Sequence, residues 1–520
     1  MATTACSICQ RATPPDTLAQ AHSYAFWRRA DGACPACLQQ SLLRTLLESG
    51  EAALHESIQR VWPLDAEAAF GALPTLLRLH ADPRFAGRGV TIALLDSGFY
   101  PHADLVRPMN RIRAWADATV EHVPYLLFSR EHEPRWPGWN ASAESQWHGT
   151  MTSVVAAGNG FLSHGLYRGL ASEAQLVLIQ VRDAEGHISS ESIARALAWL
   201  KKVGPALGVR VVSMSVSGDP VEHLGGNPVD AAAEALIDSG VSLVAAAGNS
   251  GERQLIPPAT SPRVLTIGGI DDHSSFSHEE IRLWHSNYGQ SAEGLPKPEL
   301  VAPSLWVAAP VLPGTSVGRE AAELFARRAR GDSSGGSRIS EMRLITPHYQ
   351  HAEGTSFAAP IVASAVACML EANSSLTPVL VRDVLRATAH PVPGASVERQ
   401  GAGALDAGRA VAGAMAERHT GAAGFRSPEI TPGGMRFALH DHDARSVSVL
   451  GSWDAWQSPG LAAARTEDGV WQTASMKLAP GNYTYKFLLD GTRWLDDPAN
   501  PAKAHDGLGG LNSVFRVARR

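Results

Sequence analysis

A serine lies among small residues in the segment 353–360, within the run Gly354-Thr355-Ser356, and an apolar, helix-compatible run follows over residues 361–370. This pattern predicts a serine on a tight turn at the start of a helix. Backbone N–H groups and the positive end of the helix dipole would then face an oxyanion formed beside the hydroxyl. Because a serine is a weak nucleophile by itself, it needs a base, and the base needs a group that orients it.

Three other polar residues lie next to runs that predict secondary structure. Asp96 ends the apolar run 90–95, which is typical of a central parallel strand, and a carboxylate there lies where open α/β sheets place functional groups. His148 precedes a helix-like run of small residues. Asn249 follows the apolar strand predicted at 241–247. Asp96, His148 and Asn249 are therefore polar residues at the ends of predicted elements.

Strand-like and helix-like segments alternate along the part of the chain that must position these residues. Further strands are predicted at 175–181, 209–216 and 264–268, and helices at 192–203 and 229–239. This alternation predicts an α/β fold with a doubly wound parallel sheet.

Four motifs resemble those of the subtilases, the subtilisin-like serine proteases, over about residues 86–415. They are Asp96-Ser97-Gly98, His148-Gly149-Thr150, Ala247-Gly248-Asn249 and Gly354-Thr355-Ser356-x-Ala358-x-Pro360. Their order differs from that of other triad folds. The resemblance implies a serine endopeptidase in which Ser356 attacks the carbonyl, His148 moves the proton and Asp96 orients His148. It also implies that Asn249 and the Ser356 backbone N–H stabilise the oxyanion. The alternative is a catalytically silent or switched protein that binds a glycan or a partner.

The same resemblance implies a substrate pocket. Ser215, Val216 and Ser217 would line one wall, and Ile256 would lie near the floor, where the family often has glycine. We therefore expect a shallow pocket that prefers small or medium apolar side chains.

Two further features concern loops and control. The insert 316–349 contains a basic, Gly- and Ser-rich run, which composition favours as a flexible, solvated surface loop; a processing site or a cleft flap is the alternative. Family resemblance implies a calcium site near Asp104 and the loop 158–165, without assignable ligands. No typical inhibitory pro-domain is apparent.

Four cysteines near the N-terminus form two Cys-x2-Cys pairs: Cys6, Cys9, Cys34 and Cys37. Two such pairs supply four thiolates to a tetrahedral, structural zinc, and the second pair opens an amphipathic helix. The alternative is a set of unrelated or redox-active cysteines, because the gap between the pairs exceeds the usual spacing.

The C-terminal residues 434–520 change to short strands with turn signals, which predict a small β-sandwich. They resemble the early-set glycogen-binding module of the AMP-activated protein kinase beta subunit. The sugar-contact positions implied by this resemblance are Trp456, Lys486, Trp494, Leu508 and Asn512. We expect Trp453 and Trp471 to lie in the core and Trp456 and Trp494 to be exposed. Related modules also serve as protein-docking units, so an α-glucan and a protein partner both stay open.

Composition supports these assignments. The 520 residues are 44% hydrophobic and 18% charged, with a net charge of −6. Such values favour neither a nucleic-acid partner nor an anionic membrane. The N-terminus lacks a basic start and an apolar core, and four of the five cysteines cluster at one end, so we expect a cytoplasmic location. The predicted domains are the zinc-binding helical element 1–85, the peptidase 86–418, a linker 419–433 and the β-sandwich 434–520.

Overall fold

The structure is a computed structural model. It describes residues 4–5, 12–13, 35–50, 52–54, 56–57, 72–131, 143–219, 227–275, 281–291, 293–420, 427–431, 433–441, 444–466, 469–497, 499–500, 503–506 and 511–517. The chain divides into two compact units, Met1–Val411 and Ala412–Arg520.

The first unit contains most of the helices and the large sheet. Its helices are α1 (Pro35–Ser49), α2 (Thr75–Arg78), α3 (Ala103–Val106), α4 (Ala143–Ala157), α5 (Ser190–Val203), α6 (Pro228–Ile237), α7 (Ser316–Ala329), α8 (Gly336–Glu341), α9 (Thr355–Ala372), α10 (Pro378–Thr388) and α11 (Val397–Gln400), and α12 (Ala407–Thr420) begins in it. Its strands are β1 (Thr4–Ala5), β2 (Ala12–Thr13), β3 (Thr91–Asp96), β4 (Ile112–Asp117), β5 (Tyr125–Leu127), β6 (Gln175–Gln180), β7 (Val209–Met214), β8 (Ser242–Ala246), β9 (Leu265–Asp271), β10 (Arg282–Leu283), β11 (Gly289–Gln290), β12 (Pro296–Lys297), β13 (Leu300–Pro303), β14 (Val307–Pro310), β15 (Leu344–Thr346) and β16 (Tyr349–Ala352).

A nine-stranded sheet forms the centre of this unit, in the order β10-β9-β8-β7-β3-β6-β4-β5, with β13 pairing parallel to β9. The inner strands are parallel, and β3 lies between β6 and β7. All six residues of β3 are buried, which agrees with its uninterrupted apolar sequence.

Helices cover both faces of this sheet. Ala93 and Leu95 of β3 belong to a core cluster shared with α5 and α6. Ile92 and Leu94 point to the opposite face by strand alternation, and α4 and α9 pack against β3 as well. The predicted α/β fold with a parallel sheet is confirmed.

Helix α9 is the most apolar helix of the sheet's core. Its 18 residues have a mean hydropathy of 1.5, so length and composition alone would let it cross a membrane. However, 89% of that stretch is buried inside the protein, where it contacts β7, β8, β9 and β13. Helix α9 is therefore apolar on all its faces because the protein buries it on all sides.

The insert is folded, and the expectation of a flexible loop was wrong. Thr315 caps α7 by accepting a hydrogen bond from Gly318 N at 3.0 Å. Ala321 and Leu324 of α7 pack with Ile339 of α8 in a small core of their own. Strand β16 pairs antiparallel with β14 and β15. The prediction failed because it was based on the arginine-rich composition and overlooked a few apolar residues with helical spacing.

The second unit is rich in antiparallel strands: β17 (Glu429–Thr431), β18 (Gly434–Arg436), β19 (Ala438–His440), β20 (Val447–Gly451), β21 (Leu461–Arg465), β22 (Val470–Thr473), β23 (Gly481–Leu489), β24 (Arg493–Leu495), β25 (Lys503–His505) and β26 (Leu511–Val517). Strands β19 to β26 form one eight-stranded sheet, made continuous by β21, which pairs with both β20 and β22. Both ends of the sheet contribute to a single aromatic core that includes Phe437, Tyr485 and Phe487.

Candidate active site

Asp96 is held at the carboxyl end of β3 by hydrogen bonds from Ser97, His148 and Thr152. Its side chain is 1% exposed. Oδ1 accepts hydrogen bonds from Ser97 N and His148 Nδ1, both at 2.7 Å, and Oδ2 accepts one from Thr152 Oγ1 at 2.9 Å. Each carboxylate oxygen therefore has a fixed direction. Sequence reasoning missed Thr152, although it lies one turn after His148 on the same helix face.

His148 lies in α4, and a glycine lets that helix approach β3. A Cβ atom on Gly149 would lie 2.2 Å from Gly98 O and 3.0 Å from Asp96 Cβ. Because no other residue fits there, Gly149 brings the imidazole within hydrogen-bonding distance of the carboxylate. The imidazole ring centroid is also 6.2 Å from that of Phe357, the residue after Ser356. The ring thus lies between β3 and the start of α9.

Ser356 lies in the first turn of α9. Gly354 precedes the helix with a φ of 127°, a conformation that favours glycine, and a Cβ there would lie 3.3 Å from Asn249 Nδ2. Ser215 Oγ donates a hydrogen bond to Ser356 O at 2.8 Å. The turn is therefore fixed by its neighbours on both sides.

The Asn249 amide is oriented by the residue before the serine. Its Oδ1 accepts hydrogen bonds from Thr355 N at 2.9 Å and Thr355 Oγ1 at 2.8 Å. Thr355 Oγ1 in turn accepts one from Gly248 N at 3.1 Å. With Oδ1 occupied, Nδ2 is left as the donor, and it makes no hydrogen bond to any part of the chain that the structure describes.

Electrostatics favour a protonated imidazole. Burial opposes a charge on His148, but the neighbouring Asp96 carboxylate and its hydrogen bond outweigh burial, so the pKa of His148 is raised above its ordinary value. An imidazolium formed by proton transfer would therefore be stabilised where it forms. Asp96, His148, Asn249 and Ser356, predicted from four separate motifs, lie on neighbouring elements at one edge of the sheet.

The family model described as "Subtilase family" matches residues 87–403, more than half of the chain. The chain belongs to the subtilase family. Serine protease AprX of Bacillus subtilis is 28% identical over 335 residues, which cover 63% of this chain and 67% of AprX. Subtilisin BL of Lederbergia lenta is 26% identical over 304 residues, which cover 58% of this chain and 84% of that protein. A solved protease from Pseudoalteromonas arctica is 23% identical with a TM-score of 0.46, covering 66% of this chain and 94% of its own.

The predicted pocket residues of this subtilase are adjacent. Ser215 and Val216 are buried, Ser217 is exposed and Ile256 is half-buried. The Gly218 N–H donates to Pro257 O at 2.9 Å, which joins the segment after β7 to the segment after Ile256. The structure thus brings the predicted wall and floor together. The preference for small or medium apolar side chains stays a prediction.

Three of the four predicted zinc ligands, Cys6, Cys9 and Cys34, lie outside the described residues. Cys37 is half-buried in the first turn of α1. That helix packs on the loop after α4: Gln39 Nε2 donates to Leu166 O at 3.2 Å, and Arg168 Nε donates to Gln39 Oε1 at 3.1 Å. Within the described ranges, no group of three or more His, Cys, Asp or Glu side chains is placed to hold a metal. The zinc site stays a prediction.

Protein donors occupy the predicted calcium position. Asp104 is fully buried; its Oδ1 accepts a hydrogen bond from Leu162 N at 3.0 Å and its Oδ2 one from Tyr349 Oη at 2.5 Å. Calcium requires six to eight oxygen ligands facing the ion, whereas these two groups present hydrogens to the carboxylate. The residues around Asp104 therefore do not fit calcium in this arrangement. Calcium binding elsewhere stays a prediction without ligands.

The second unit places the two predicted sugar-contact tryptophans side by side. The ring centroids of Trp456 and Trp494 are 6.2 Å apart at an interplanar angle of 61°. Trp494 is 48% exposed, as predicted, whereas Trp456 is half-buried. Lys486 Nζ donates to Asp506 Oδ2 at 2.5 Å. Asn512 is half-buried on β26, and Leu508 lies outside the described residues.

Of the two tryptophans predicted to lie in the core, Trp471 is buried there, and Trp453 is half-buried and packs against it. Trp471 is 7% exposed and donates Nε1–H to Asp441 O at 3.0 Å. Trp453 stacks on Phe437 with centroids 5.4 Å apart. A second family model, described as the glycogen recognition site of AMP-activated protein kinase, matches residues 437–520. The chain therefore combines a subtilase with a carbohydrate-binding-like module.

Proposed function

We propose that this subtilase hydrolyses peptide bonds as a serine endopeptidase through an acyl-enzyme. Ser356 Oγ attacks the scissile carbonyl, its proton passes to His148 Nε2, and His148 then protonates the leaving amine. Asp96 holds Nδ1–H and stabilises the imidazolium. The Ser356 backbone N–H and Asn249 Nδ2 donate to the oxyanion, and water then releases the acyl group. The observation that supports this role best is the Asp96–His148 hydrogen bond at 2.7 Å beside the start of α9.

Covalent labelling tests this proposal. A fluorophosphonate reacts with a serine only when a base and an oxyanion hole activate it. We expect the wild-type chain to be labelled and S356A to be unlabelled. Ser364 is a matched control because it is a buried serine of the same helix, hydrogen-bonded to Ile361 O, so S364A should be labelled like wild type once its folding is verified. A folded wild-type chain that is never labelled would indicate the silent, partner-binding alternative.

The pH dependence follows from His148. Only the neutral imidazole accepts the serine proton, and the pKa of His148 is raised. We therefore expect kcat/KM to rise with pH through an apparent pKa above the ordinary value of about 6.5, with activity lost on the acid side. A pH–rate profile with a small peptide substrate measures this. An acid limb clearly below that value would contradict the assignment.

Acid unfolding must be separated from this titration. Burial is the main cause that lowers the pKa of His102 and of His348, so the fold favours their neutral forms. The stability that they contribute is present above about pH 6.5 and is lost as pH falls below it. The profile should therefore be recorded together with circular dichroism, over the range in which activity recovers fully on return to neutral pH.

We further propose that the C-terminal module binds an α-glucan through the face that carries Trp456 and Trp494. The apolar face of a glucose ring stacks on an indole, and the exposed ring of Trp494 is free of core packing. Lys486 and Asn512 would contribute hydrogen bonds to hydroxyls. The match to a glycogen-recognition family supports this proposal. A protein partner on the same face is the alternative outcome.

The change Trp494→Ala tests the glucan face. We expect the dissociation constant for a soluble α-glucan to rise about tenfold, because stacking area is lost. Affinity electrophoresis in gels containing glycogen measures this. Trp306→Ala is the matched control, since Trp306 is an exposed tryptophan of the peptidase unit at 40% exposure. Equal retardation of wild type and both variants would contradict glucan binding at this face.

The structural zinc at Cys6, Cys9, Cys34 and Cys37 and the cytoplasmic location are further proposals. One zinc per chain by metal analysis, lost in C37S, would support the first. The presence of the chain in the cytosolic fraction of its native cells would support the second.

A further inference from the structure

A second cleft lies at the edge of the sheet opposite the candidate active site. Its volume is about 430 Å³, and its lining includes Arg88 and Gly89 before β3, Arg111 before β4 and Gln175 at the start of β6. These are the amino ends of the parallel strands, whereas Asp96 lies at the carboxyl end of β3. Six residues of β-strand separate the two edges by about 20 Å. The cleft is therefore distinct from the triad.

Four arginines line this cleft: Arg88, Arg111, Arg130 and Arg168. Glu173 is the lining carboxylate, and Arg88 engages it through both Nε and Nη2 at 2.8 Å. Arg88 also lies 3.6 Å from Glu371. Both carboxylates are therefore paired with Arg88. Glu173 also acts through space on Arg111 and Arg168, and Asp104 on Arg111, but among the described residues no carboxylate oxygen is hydrogen-bonded to Arg111 or Arg168.

The interior two of these guanidinium groups bond to neutral acceptors. Arg111 donates to Asp104 O at 2.6 Å and to Ala174 O at 3.3 Å, and its buried Nε has no hydrogen-bond partner among the described residues. Arg168 donates to the side-chain amide of Gln39. Burial lowers the pKa of Arg111 to about 10 and also lowers the pKa of Arg168, because each cation loses hydration. Within the part of the chain that the structure describes, these two half-buried guanidinium groups therefore have no hydrogen-bonded carboxylate.

We propose that this cleft binds a small polyanion with two or more phosphate groups, held by Arg111, Arg130 and Arg168. Arginine presents a planar fork of donors that matches phosphate oxygens, and it stays charged when it is buried. The volume is in the range of small-ligand sites. The anion supplies a directly bonded negative partner for these half-buried guanidinium groups, and a charge withdrawn from water without such a partner is costly. Binding therefore stabilises the folded chain from a site remote from the triad.

The full-length chain titrated with inorganic triphosphate at constant ionic strength tests this proposal. We expect a saturable rise of the melting temperature and a matching heat of binding by calorimetry. Arg130→Gln removes an exposed cleft cation and should raise the dissociation constant about tenfold. Gln175→Glu places a nearly isosteric carboxylate in the cleft and keeps the acceptor for Arg113, so it should fold normally and weaken binding at least as much.

Arg328→Gln is the matched control, because it removes an exposed arginine of α7 outside the cleft lining. It should bind like wild type, which also separates the site from a general charge effect. Triphosphate chelates metal ions, so a parallel titration with EDTA should give no saturable stabilisation. The proposal is overturned if wild type shows no saturable response, or if R130Q and Q175E bind as tightly as R328Q.

Discussion

The change Asp96→Asn is expected to lower kcat by about 10⁴-fold and to leave KM nearly unchanged. The carboxylate accepts His148 Nδ1–H at 2.7 Å, whereas an asparagine amide at that position also presents hydrogens to the ring. The imidazole would then adopt the tautomer with the proton on Nε2, which accepts no proton from Ser356. The acid limb of the pH–rate profile should move to lower pH as well, because Asp96 is what raises the pKa of His148. Steady-state kinetics over a pH series measure both effects.

The matched control is Asp117→Asn. Asp117 is a buried carboxylate at the carboxyl end of β4, at the same edge of the sheet, and its Oδ1 accepts hydrogen bonds from Thr119 N at 2.9 Å and Thr119 Oγ1 at 2.6 Å. Its loss costs stability but should not move the acid limb. Thr152→Val removes the donor to Asp96 Oδ2 and should reduce kcat by a smaller factor than Asp96→Asn. Equal kinetics for D96N and D117N would refute the role of Asp96.

The second large effect concerns Arg78, which lies outside the predicted peptidase boundaries. Its guanidinium is 2% exposed and binds Asp272 in a fork, Nε to Oδ2 at 2.9 Å and Nη2 to Oδ1 at 2.6 Å. It also donates to the carbonyl oxygens of Leu305 and Trp306, both at 2.8 Å. Removal of Arg78 leaves a buried carboxylate uncompensated. We expect Arg78→Ala to lower the free energy of unfolding by about 3–5 kcal/mol.

Urea unfolding of the full chain measures this loss. Arg253→Ala is the control, since Arg253 pairs with Glu398 while both side chains are largely exposed, at 61% and 47%, and its loss should leave the free energy of unfolding nearly unchanged. The double change Arg78→Met with Asp272→Leu removes both charges and should recover much of the lost stability. If R78A unfolded at the same urea concentration as R253A, the buried pair would not be a main support of the fold.

The tertiary structure alone decided how these side chains are oriented. Asn249 is aimed by Thr355, which is 106 residues away, and Arg78 meets Asp272 across 194 residues. The cleft arginines come together only because β3, β4 and β6 lie side by side in the sheet. None of these pairings is encoded in a local window, since each depends on the packing of the whole unit. The insert 316–349 could not be predicted from a local window either. Its many arginines indicate an exposed loop, and its few apolar residues form a core only when α7, α8 and β15 pack together.

The sequence by itself predicted the candidate catalytic residues and determined which elements present them. Buried parallel strands are apolar along nearly their whole length, so the sequence alone predicts strands at 90–95, 175–181 and 209–216. The observed strands β3, β6 and β7 confirm these three predictions. The small residues around Ser356 and the glycine after His148 also indicate close packing in the sequence, because two backbones that approach this closely leave no room for a larger side chain. Local steric limits and hydrophobic periodicity act within a few residues, so they can be recognised in the sequence alone. Distances between side chains are set by long-range packing and appear only in the folded chain.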